Sequence, residues 1–253
     1  MIAALVLGRK GSVGMPGKNL FPVLGRPLAW YPMHAATQAT HVDRIYLSTD
    51  DEQLMEIARG LDIEIIERPD YLCNSEALGE DAYGHGYKEI CKRLGEKPEM
   101  MVLLFCNAAT LLPQTIDEGI HVLRENPDYD SAVTVSSYNM YSPVRARRVN
   151  GDGLLEPFIP LESFSEDFVV SCDRNCQGDV WFADVSISVV RPHCLENLDQ
   201  GKPPQKWMGQ RIYPLKQEGG LDVDAAWQIP IVEWWLKNNG VVQDDGTLLS
   251  DEN

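Results

Sequence analysis

Short apolar runs alternate along the chain with segments in which apolar residues recur every three or four positions. The runs are typical of buried strands, and the spaced segments are typical of helices that bury one face. The predicted strands are 2–7, 44–49, 63–67, 101–106, 132–135 and 181–190, and the predicted helices are 27–39, 52–61, 80–94, 116–125 and 225–237. This alternation over short connections predicts an α/β fold with a mostly parallel sheet flanked by helices.

The alternation breaks down between residues 138 and 177. This stretch is polar and rich in turn-forming residues, and it has little periodicity. We interpret it as an insertion or arm within a single domain that comprises residues 1–253, since a chain of this length suits one large α/β domain.

The net charge of −16 limits the classes of partner. Nucleic-acid-binding proteins normally carry a basic face, so no nucleic-acid partner is expected. The chain has no run of about 18 apolar residues and no signal-peptide pattern at its N-terminus, which predicts no membrane contact and a cytoplasmic location. An acidic protein that binds phosphates must concentrate its cations locally or recruit a divalent metal ion.

The six cysteines are scattered along the chain, and reduced thiols are the simplest interpretation. A zinc site formed by Cys172 and Cys176 with His193 and Cys194 is an alternative, although the spacing of the two paired cysteines is loose for zinc.

A glycine-rich stretch, GRKGSVGMPGKN at residues 8–19, follows the first predicted strand directly. Backbone N–H groups of such a loop can face an anion, and Arg9 and Lys18 add positive charge near its two ends. The stretch fits neither a Walker A loop, whose first glycine is replaced by Ser12, nor a dinucleotide fingerprint, nor a nucleophile elbow. The alternative is a flexible turn with solvated cations.

Four segments carry a resemblance to a known family. The loop residues Arg9, Ser12, Pro16, Lys18 and Asn19 match the pattern A-R-x-x-S-K-x-[IL]-P-x-K-N in register. Residues 48–51 (STDD), 68–72 (RPDYL) and 221–224 (LDVD, followed by Trp227) match three further motifs in the same order. The chain therefore resembles the cytidylyltransferases that make CMP-activated sugar acids, typified by CMP-sialic acid synthetase.

The resemblance implies a Rossmann-like nucleotidyltransferase fold with a small dimerisation insertion, which would be residues 138–177, and hence a homodimer. The implied reaction is transfer of CMP from CTP to a small acidic acceptor, with release of pyrophosphate. Arg9 and Lys18 would hold the triphosphate and stabilise charge on the leaving pyrophosphate. The implied nucleotide-binding residues are Gly8, Arg9, Gly11, Ser12, Lys18, Asn19 and Arg68.

Asp222 and Asp224 complete the predicted catalytic set. They lie two residues apart in an apparently extended segment, so both side chains point to one face and can share Mg²⁺ or another divalent cation. A helix N-cap role is the alternative for this pair, because aspartate is favoured there. Asp50 and Asp51 could cap the helix that begins near Glu52, or they could lie at the rim of the nucleotide site; capping is favoured for Asp51, and Asp50 is left open.

The sequence departs from the family at two places. Val13 stands where the family's loop has a lysine, and Phe105 and Leu111 replace a glutamine and an arginine of an LLQPTSPLR-like segment. A site that hydrogen-bonds a polyol does not readily exchange glutamine for a phenyl ring, so the acceptor half of the site is expected to differ.

Five residues are candidates for contacts with the acceptor. Within the cluster 145–148, arginines could bind a carboxylate or phosphonate by forked hydrogen bonds, or they could form a solvated basic patch or part of an interface. The candidates are Phe105, Asn107, Arg145, Arg147 and Asp184.

The first hypothesis is a magnesium-dependent cytidylyltransferase for a sugar acid of the sialic or nonulosonic type. The alternatives are a phosphonate acceptor, a nucleotidyltransferase for sugar phosphates, and a non-catalytic nucleotide-binding protein.

Overall fold

The computed structural model describes residues 1–11, 14–74, 76–164, 171, 178–242 and 247. The strands are β1 Ile2–Leu7, β2 Pro22–Val23, β3 Arg26–Pro27, β4 Arg44–Thr49, β5 Glu64–Glu67, β6 Met100–Phe105, β7 Ser131–Ser137, β8 Arg147–Val149, β9 Leu155–Pro157, β10 Trp181–Val190 and β11 Ile212–Gln217. The helices are α1 Trp30–Gln38, α2 Glu52–Gly60, α3 Gly79–Leu94, α4 Pro113–Glu125, α5 Pro192–Glu196 and α6 Ile229–Asn238.

Seven strands form one sheet in the order β11-β7-β10-β6-β1-β4-β5. Neighbouring strands pair in parallel, except that β10 is antiparallel to both β6 and β7. The predicted mostly parallel sheet flanked by helices is thereby confirmed.

The central strand β1 shows why the sheet is covered on both faces. Ile2, Ala4 and Val6 belong to a core cluster that includes residues of α1, α2 and α4. Ala3, Leu5 and Leu7 belong to a second cluster with residues of α3 and α5. Because successive side chains of a strand point to opposite faces, the uninterrupted apolar run of β1 requires helices on both sides.

Strand β11 and the start of the final helix differ from the predicted elements. Strand β11 was not predicted: its sequence contains Pro214, and Leu215 is its one buried residue. It lies at the sheet edge, where proline is tolerated. The final helix begins at Ile229 rather than at 225, because residues 226–228 form a 3₁₀ turn before it.

The predicted arm contains a small sheet of its own. Strands β8 and β9 pair antiparallel, with Arg147 opposite Pro157, and they lie between β7 and β10 in the chain. Residues 165–170 and 172–177 of the arm lie outside the described residues. The dimerisation role of the arm stays a prediction.

In the described part of the chain, no helix combines the length and apolar character needed to traverse a bilayer.

The carboxyl ends of β1, β4 and β6 meet at one edge of the sheet, since these strands are parallel neighbours. Hydrogen bonds join the segments that follow them: Gly8 N donates to Ser48 O (3.2 Å), and Cys106 N donates to Leu7 O (2.9 Å). In an open α/β sheet, ligands bind at this edge.

Candidate active site

A cavity of about 380 Å³ opens at the carboxyl ends of β1 and β6. Its volume lies within the range of ligand-binding clefts. One side is polar and is formed by Arg9, Lys18, Asn19, Arg68, Asn107 and Asp224. The other side is mainly apolar and is formed by residues from the segment 72–82 and by Phe105.

Residues that are far apart in the sequence meet in this cavity. The ammonium group of Lys18 donates to Asp224 Oδ1 over 2.6 Å, across a separation of 206 residues. The Lys18 side chain is 12% exposed, whereas that of Asp224 is 68% exposed. The glycine-rich loop and the Asp222–Asp224 segment, which the sequence predicts to act together, therefore share one cleft.

Glycines allow the loop to approach its neighbours closely. A Cβ atom placed on Gly14 would lie 2.8 Å from the backbone oxygen of Asp224, and one on Gly8 would lie 2.5 Å from Cys106 Sγ. Gly17, which precedes the 3₁₀ turn that carries Lys18, has a φ of 75°. This left-handed conformation favours glycine.

Hydrogen bonds connect the start of the glycine-rich loop to the residue that follows β4 and to the segment before α3. The Arg9 guanidinium donates to the backbone oxygen of Asn74, and Lys10 N donates to Asp50 Oδ1 over 2.8 Å. Asp51 Oδ1 accepts from Gln53 N (3.0 Å) and caps α2, as the sequence indicates. Asp50 thus holds the loop, a role that the sequence leaves open.

Arg68 is 8% exposed, yet it lines the cavity. Its Nη2 donates to Ser48 O (2.8 Å) and its Nε lies 3.4 Å from Ser48 Oγ. Burial lowers the pKa of Arg68, and the nearby carboxylate of Asp50 acts in the opposite direction. An arginine has a pKa so high that this guanidinium stays charged and is available to an anion in the cavity.

Asp222 contacts Asn107, which follows β6, and unlike Asp224 it does not line the cavity. Asn107 Nδ2 lies 3.3 Å from Asp222 Oδ2 and donates to Val223 O over 3.1 Å. Burial raises the pKa of Asp222, and the charge of Asp224 raises it further, while Lys18 and the hydrogen bond from Asn107 act against this. A cation near the pair would favour the charged form of Asp222.

A pair of carboxylates suits a magnesium ion. Mg²⁺ is usually held by one or two carboxylates together with water and substrate phosphates, rather than by a cage of protein ligands. Within the described residues, no group of three or more His, Cys, Asp or Glu residues could hold a metal ion. The carboxylates of Asp222 and Asp224 would suit an ion whose remaining ligands are water and the phosphate oxygens of a nucleotide.

Two of the five candidate acceptor-binding residues, Phe105 and Asn107, line the cavity. The Phe105 ring lies 5.3 Å from the ring of Tyr83 and 6.2 Å from that of Trp207. It therefore forms an aromatic surface on the apolar side of the cavity.

The arginines of the arm lie elsewhere. Arg147 Nη1 donates to Val144 O (2.7 Å) and Ala146 O (3.0 Å) within its own hairpin, and neither Arg145 nor Arg147 lines the cavity. Arg148 pairs with Glu156 on the opposite strand (2.6 Å). The structure supports the alternative of a surface patch rather than an acceptor contact within this protomer.

Asp184 also lies away from the cavity. Its carboxylate is buried and accepts hydrogen bonds from Thr134 Oγ1 (2.6 Å), Ser136 Oγ (2.7 Å) and Gln217 Nε2 (2.9 Å). A buried carboxylate needs such partners. Its position gives no support to the predicted acceptor contact, because these hydrogen bonds hold β7 and β10 together.

Of the predicted nucleotide-binding residues, Gly8, Arg9, Lys18, Asn19 and Arg68 line the cavity, and Gly11 does not. Ser12 lies outside the described residues.

The alternative zinc site can be located only in part, because Cys172 and Cys176 lie outside the described residues. His193 Nε2 lies 3.0 Å from Asp130 Oδ1, and burial raises the pKa of Cys194 to about 12. The zinc site stays an untested alternative.

The apolar wall of the cavity was not predicted from the sequence. It consists of Leu72, Ala77, Leu78, Gly79 and Ala82, at the start of α3 and just before it. These residues carry no chemically distinctive side chains, and only RPDYL at 68–72 pointed to the region.

Comparisons with known proteins show what the chain is similar to. Residues 3–78, which carry three of the four motifs, match the family model for cytidylyltransferases. The predicted resemblance to the cytidylyltransferases is confirmed. The chain is 28% identical over 128 residues to the 3-deoxy-manno-octulosonate cytidylyltransferase of Geobacter sulfurreducens, covering 50% of this chain and 46% of the relative. It is 32% identical over 84 residues to the N-acylneuraminate cytidylyltransferase of Escherichia coli, covering 33% of this chain and 20% of the relative.

Solved cytidylyltransferase structures share the fold over nearly the whole chain. The structure of CMP:2-keto-3-deoxy-manno-octonic acid synthetase complexed with CTP superposes with a TM-score of 0.65 at 16% identity, covering 94% of this chain and 99% of that one. The 4-diphosphocytidyl-2C-methyl-D-erythritol synthase of Anaerococcus prevotii gives 0.61 at 11% identity, covering 93% and 96%.

The sequence matches are shorter than the structural ones. The matched part of the chain spans less than half the length of these curated cytidylyltransferases. The whole-chain similarity is one of fold, and the match to the family model lies at residues 3–78, which contain the glycine-rich loop.

Proposed function

We propose that this chain transfers CMP from CTP to a small acidic acceptor, with release of pyrophosphate. The observation that carries the proposal is the contact between Lys18 and Asp224 in a cavity that Arg9 and Arg68 also line. Three cations and Asp224 thus line one space of ligand size. A triphosphate needs this combination in a protein whose overall charge is strongly negative.

The cations would hold the nucleotide and neutralise charge as the reaction proceeds. In the proposed reaction an acceptor oxygen forms a bond to the α-phosphorus while the bond to the pyrophosphate oxygen breaks, and the acceptor proton leaves. Lys18 and Arg9 would orient the phosphates and stabilise the charge on the departing pyrophosphate. Arg68 would add a fixed positive charge at the cavity wall.

Asp222 and Asp224 would hold Mg²⁺ or another divalent cation. When bound, the cation would polarise phosphate oxygens and compensate the repulsion between carboxylates and nucleotide. Asp222 is kept in place by Asn107, and Asp224 by Lys18.

The acceptor belongs to the class of small acids. The relatives are named for 3-deoxy-manno-octulosonate and N-acylneuraminate, and a sugar acid of the sialic or nonulosonic type fits the resemblance. A phosphonate acceptor is the second candidate, and the specific observation that favours it is the aromatic surface of Phe105 in the cavity. A sugar-phosphate acceptor and a non-catalytic nucleotide-binding role remain alternatives for the assay.

Pyrophosphate release tests the proposal. The full chain is incubated with each of the four ribonucleoside triphosphates, a panel of sugar acids, phosphonates and sugar phosphates, and either Mg²⁺ or EDTA. The expected result is release only with CTP, an acidic acceptor and the metal. Release with another nucleotide would contradict the CTP assignment, and no release in any combination would favour the binding protein.

The homodimer is also part of the proposal. The hairpin formed by β8 and β9 exposes apolar side chains: Val149 is 67% exposed, Leu155 is 73% exposed and Phe158 is 60% exposed. Apolar side chains exposed together are typical of protein interfaces. A second copy of the chain that packs against this hairpin would bury them.

A further inference from the structure

One glutamine side chain holds the backbone of the predicted metal-binding segment. Gln228 Oε1 accepts hydrogen bonds from the backbone N–H groups of Asp224 and Ala225, each over 2.7 Å. Its Nε2 lies 3.3 Å from the backbone oxygen of Asp222 and donates to it. A single amide thus connects the backbones of both aspartates.

Helix capping alone does not explain these contacts. A glutamine three residues after a helix N-cap commonly accepts a hydrogen bond from the N-cap backbone N–H. Ala225 is the N-cap of the 3₁₀ turn that precedes α6, so capping accounts for the bond from Ala225 N. It does not account for the bonds to Asp224 N and Asp222 O, which lie outside the turn.

The other side of the segment is held by Asn107. Its backbone oxygen accepts from Val223 N over 2.9 Å, while its side chain contacts Val223 O and Asp222 Oδ2. Residues 222–225 are therefore fixed between the end of β6 and the side chain of Gln228. The backbone directions of Asp222 and Asp224 determine where their carboxylates can point.

Two neighbouring carboxylates repel each other in the absence of a cation. A flexible segment would let them move apart, and binding of a metal ion would then have to overcome both the repulsion and the loss of conformational freedom. Groups that hold metal ligands in place commonly change metal affinity 10–100-fold when they are replaced.

We propose that Gln228 is a positioning residue that fixes the backbone of Asp222 and Asp224 so that both carboxylates meet one divalent cation. The inference rests on the proposed metal role of these two aspartates. Gln228 itself touches neither the nucleotide nor the metal ion in this role.

The test compares Mn²⁺ binding to the wild-type chain and to two variants. Gln228→Met has a similar volume and no hydrogen-bonding amide, whereas Gln228→Glu keeps an acceptor for the two N–H groups. Binding is followed by the paramagnetic resonance signal of free Mn²⁺ with CTP present, after subtraction of the Mn²⁺ that CTP alone holds. We expect the dissociation constant to rise about tenfold in Gln228→Met and to recover most of its wild-type value in Gln228→Glu.

Steady-state kinetics give a second readout. In Gln228→Met the apparent KM for Mn²⁺ should rise about tenfold, while kcat at saturating Mn²⁺ should change less, because saturating metal compensates for poor positioning. A merely structural role would not separate these two parameters.

Ile120→Ala is the matched control. Ile120 is fully buried in α4, in a core cluster that contains none of residues 222–225, so this substitution should lower the melting temperature without disturbing that segment. Its Mn²⁺ affinity should equal that of the wild type. Equal weakening in Ile120→Ala and Gln228→Met would overturn the inference, because general destabilisation would then explain both.

The remaining outcomes are also decisive. Wild-type Mn²⁺ affinity in Gln228→Met would overturn the positioning role. Equally low Mn²⁺ affinity in Gln228→Glu and Gln228→Met would overturn it too. Either result would leave the proposed function intact. If the wild-type chain with CTP binds no additional Mn²⁺, both the metal role of the aspartates and this inference are wrong.

Discussion

The ammonium group of Lys18 lies 2.6 Å from Asp224 Oδ1, and the two side chains differ strongly in exposure. The Lys18 ammonium, on a largely buried side chain, needs a partner, whereas the Asp224 carboxylate is mostly in contact with solvent. Asp224 is thus free to exchange this contact for a metal ion, and Lys18 can then turn to a phosphate oxygen in the same cavity. In the proposed function, this ion pair would separate when CTP and the metal ion bind.

Asp224→Asn should lose most of its turnover and keep its fold. The amide oxygen can still accept from Lys18, so the buried ammonium keeps a partner, but the negative charge required by the metal is gone. We expect the rate of CTP-dependent pyrophosphate release to fall at least about 10²-fold, with a melting temperature close to that of the wild type.

Asp128→Asn is the control for this substitution. Asp128 is also exposed and lies 3.8 Å from Arg211, so it is an aspartate paired with a cation outside the cavity. Its rate should match that of the wild type. A near-wild-type rate in Asp224→Asn would remove Asp224 from the proposed metal site.

Asp222→Asn should stabilise the metal-free protein near neutral pH. Because burial and Asp224 raise the pKa of Asp222 above 3.8, the folded state retains this proton to a higher pH than the unfolded state does. The free energy of unfolding therefore falls as the pH rises from about 3.8 through the raised pKa, and an asparagine lacks this penalty.

The measurement is urea unfolding in EDTA at several pH values. The variant should be more stable than the wild type near pH 7, and its advantage should shrink as the pH falls toward about 4. A variant that is less stable than the wild type at every pH would show that the charged Asp222 carboxylate is favourable in the fold.

Much of the fold could be predicted because its strands are local apolar runs. The predicted bounds of β1, β4 and β10 agree with the structure. The antiparallel direction of β10 could not be predicted, since direction depends on the path of the chain through the sheet. Strand β11 was not predicted, because it contains Pro214 and its other side chains are mostly exposed, so it lacks the apolar pattern of a buried strand.

The polar half of the site could be predicted and the apolar half could not. Lys18 and Asp224 carry chemistry that is visible in the sequence, and the structure brings them together. Asp184 is also a carboxylate, but it accepts hydrogen bonds from Thr134 and Ser136 within the sheet. The sequence alone does not show that these two residues lie next to it. Leu78 and Ala82 gain their place in the cavity solely from the position of α3.

Gly14→Ala should impair catalysis through Asp224. The added methyl group would lie 2.8 Å from the backbone oxygen of Asp224, which is closer than real contacts of this kind. Either the loop or the Asp224 backbone must move, and a displacement of about 1 Å near reacting groups can reduce the rate about 10²-fold. The rate of pyrophosphate release at saturating CTP measures this effect.

Gly151→Ala is the matched substitution. A methyl group at Gly151, in the turn between β8 and β9, would meet nothing within 4 Å. Its rate should equal that of the wild type. Equal rates in both variants would mean that the loop accommodates the methyl group without moving Asp224.

Leu155→Asp should convert the proposed dimer to a monomer. Leu155 is 73% exposed on the hairpin, so a charge there costs nothing in the isolated chain but would be buried in an interface. Sedimentation analysis should give twice the chain mass for the wild type and the single mass for the variant. Trp234→Ser, which changes an exposed residue of α6, should leave the assembly unchanged; a wild-type monomer would refute the dimer itself.

Phe105→Gln should alter the use of the acceptor and spare the use of CTP. Phe105 forms the aromatic surface of the cavity, and its ring contributes no hydrogen bond to a ligand. A glutamine would offer hydrogen bonds to hydroxyl groups, so kcat/KM for a polyhydroxylated acid should rise relative to that for an alkyl phosphonate by about tenfold or more. The KM for CTP in the same variant serves as the internal control and should stay near the wild-type value. If the KM for CTP rises while the relative use of the two acceptors is unchanged, Phe105 contacts the nucleotide and the acceptor lies elsewhere in the cavity.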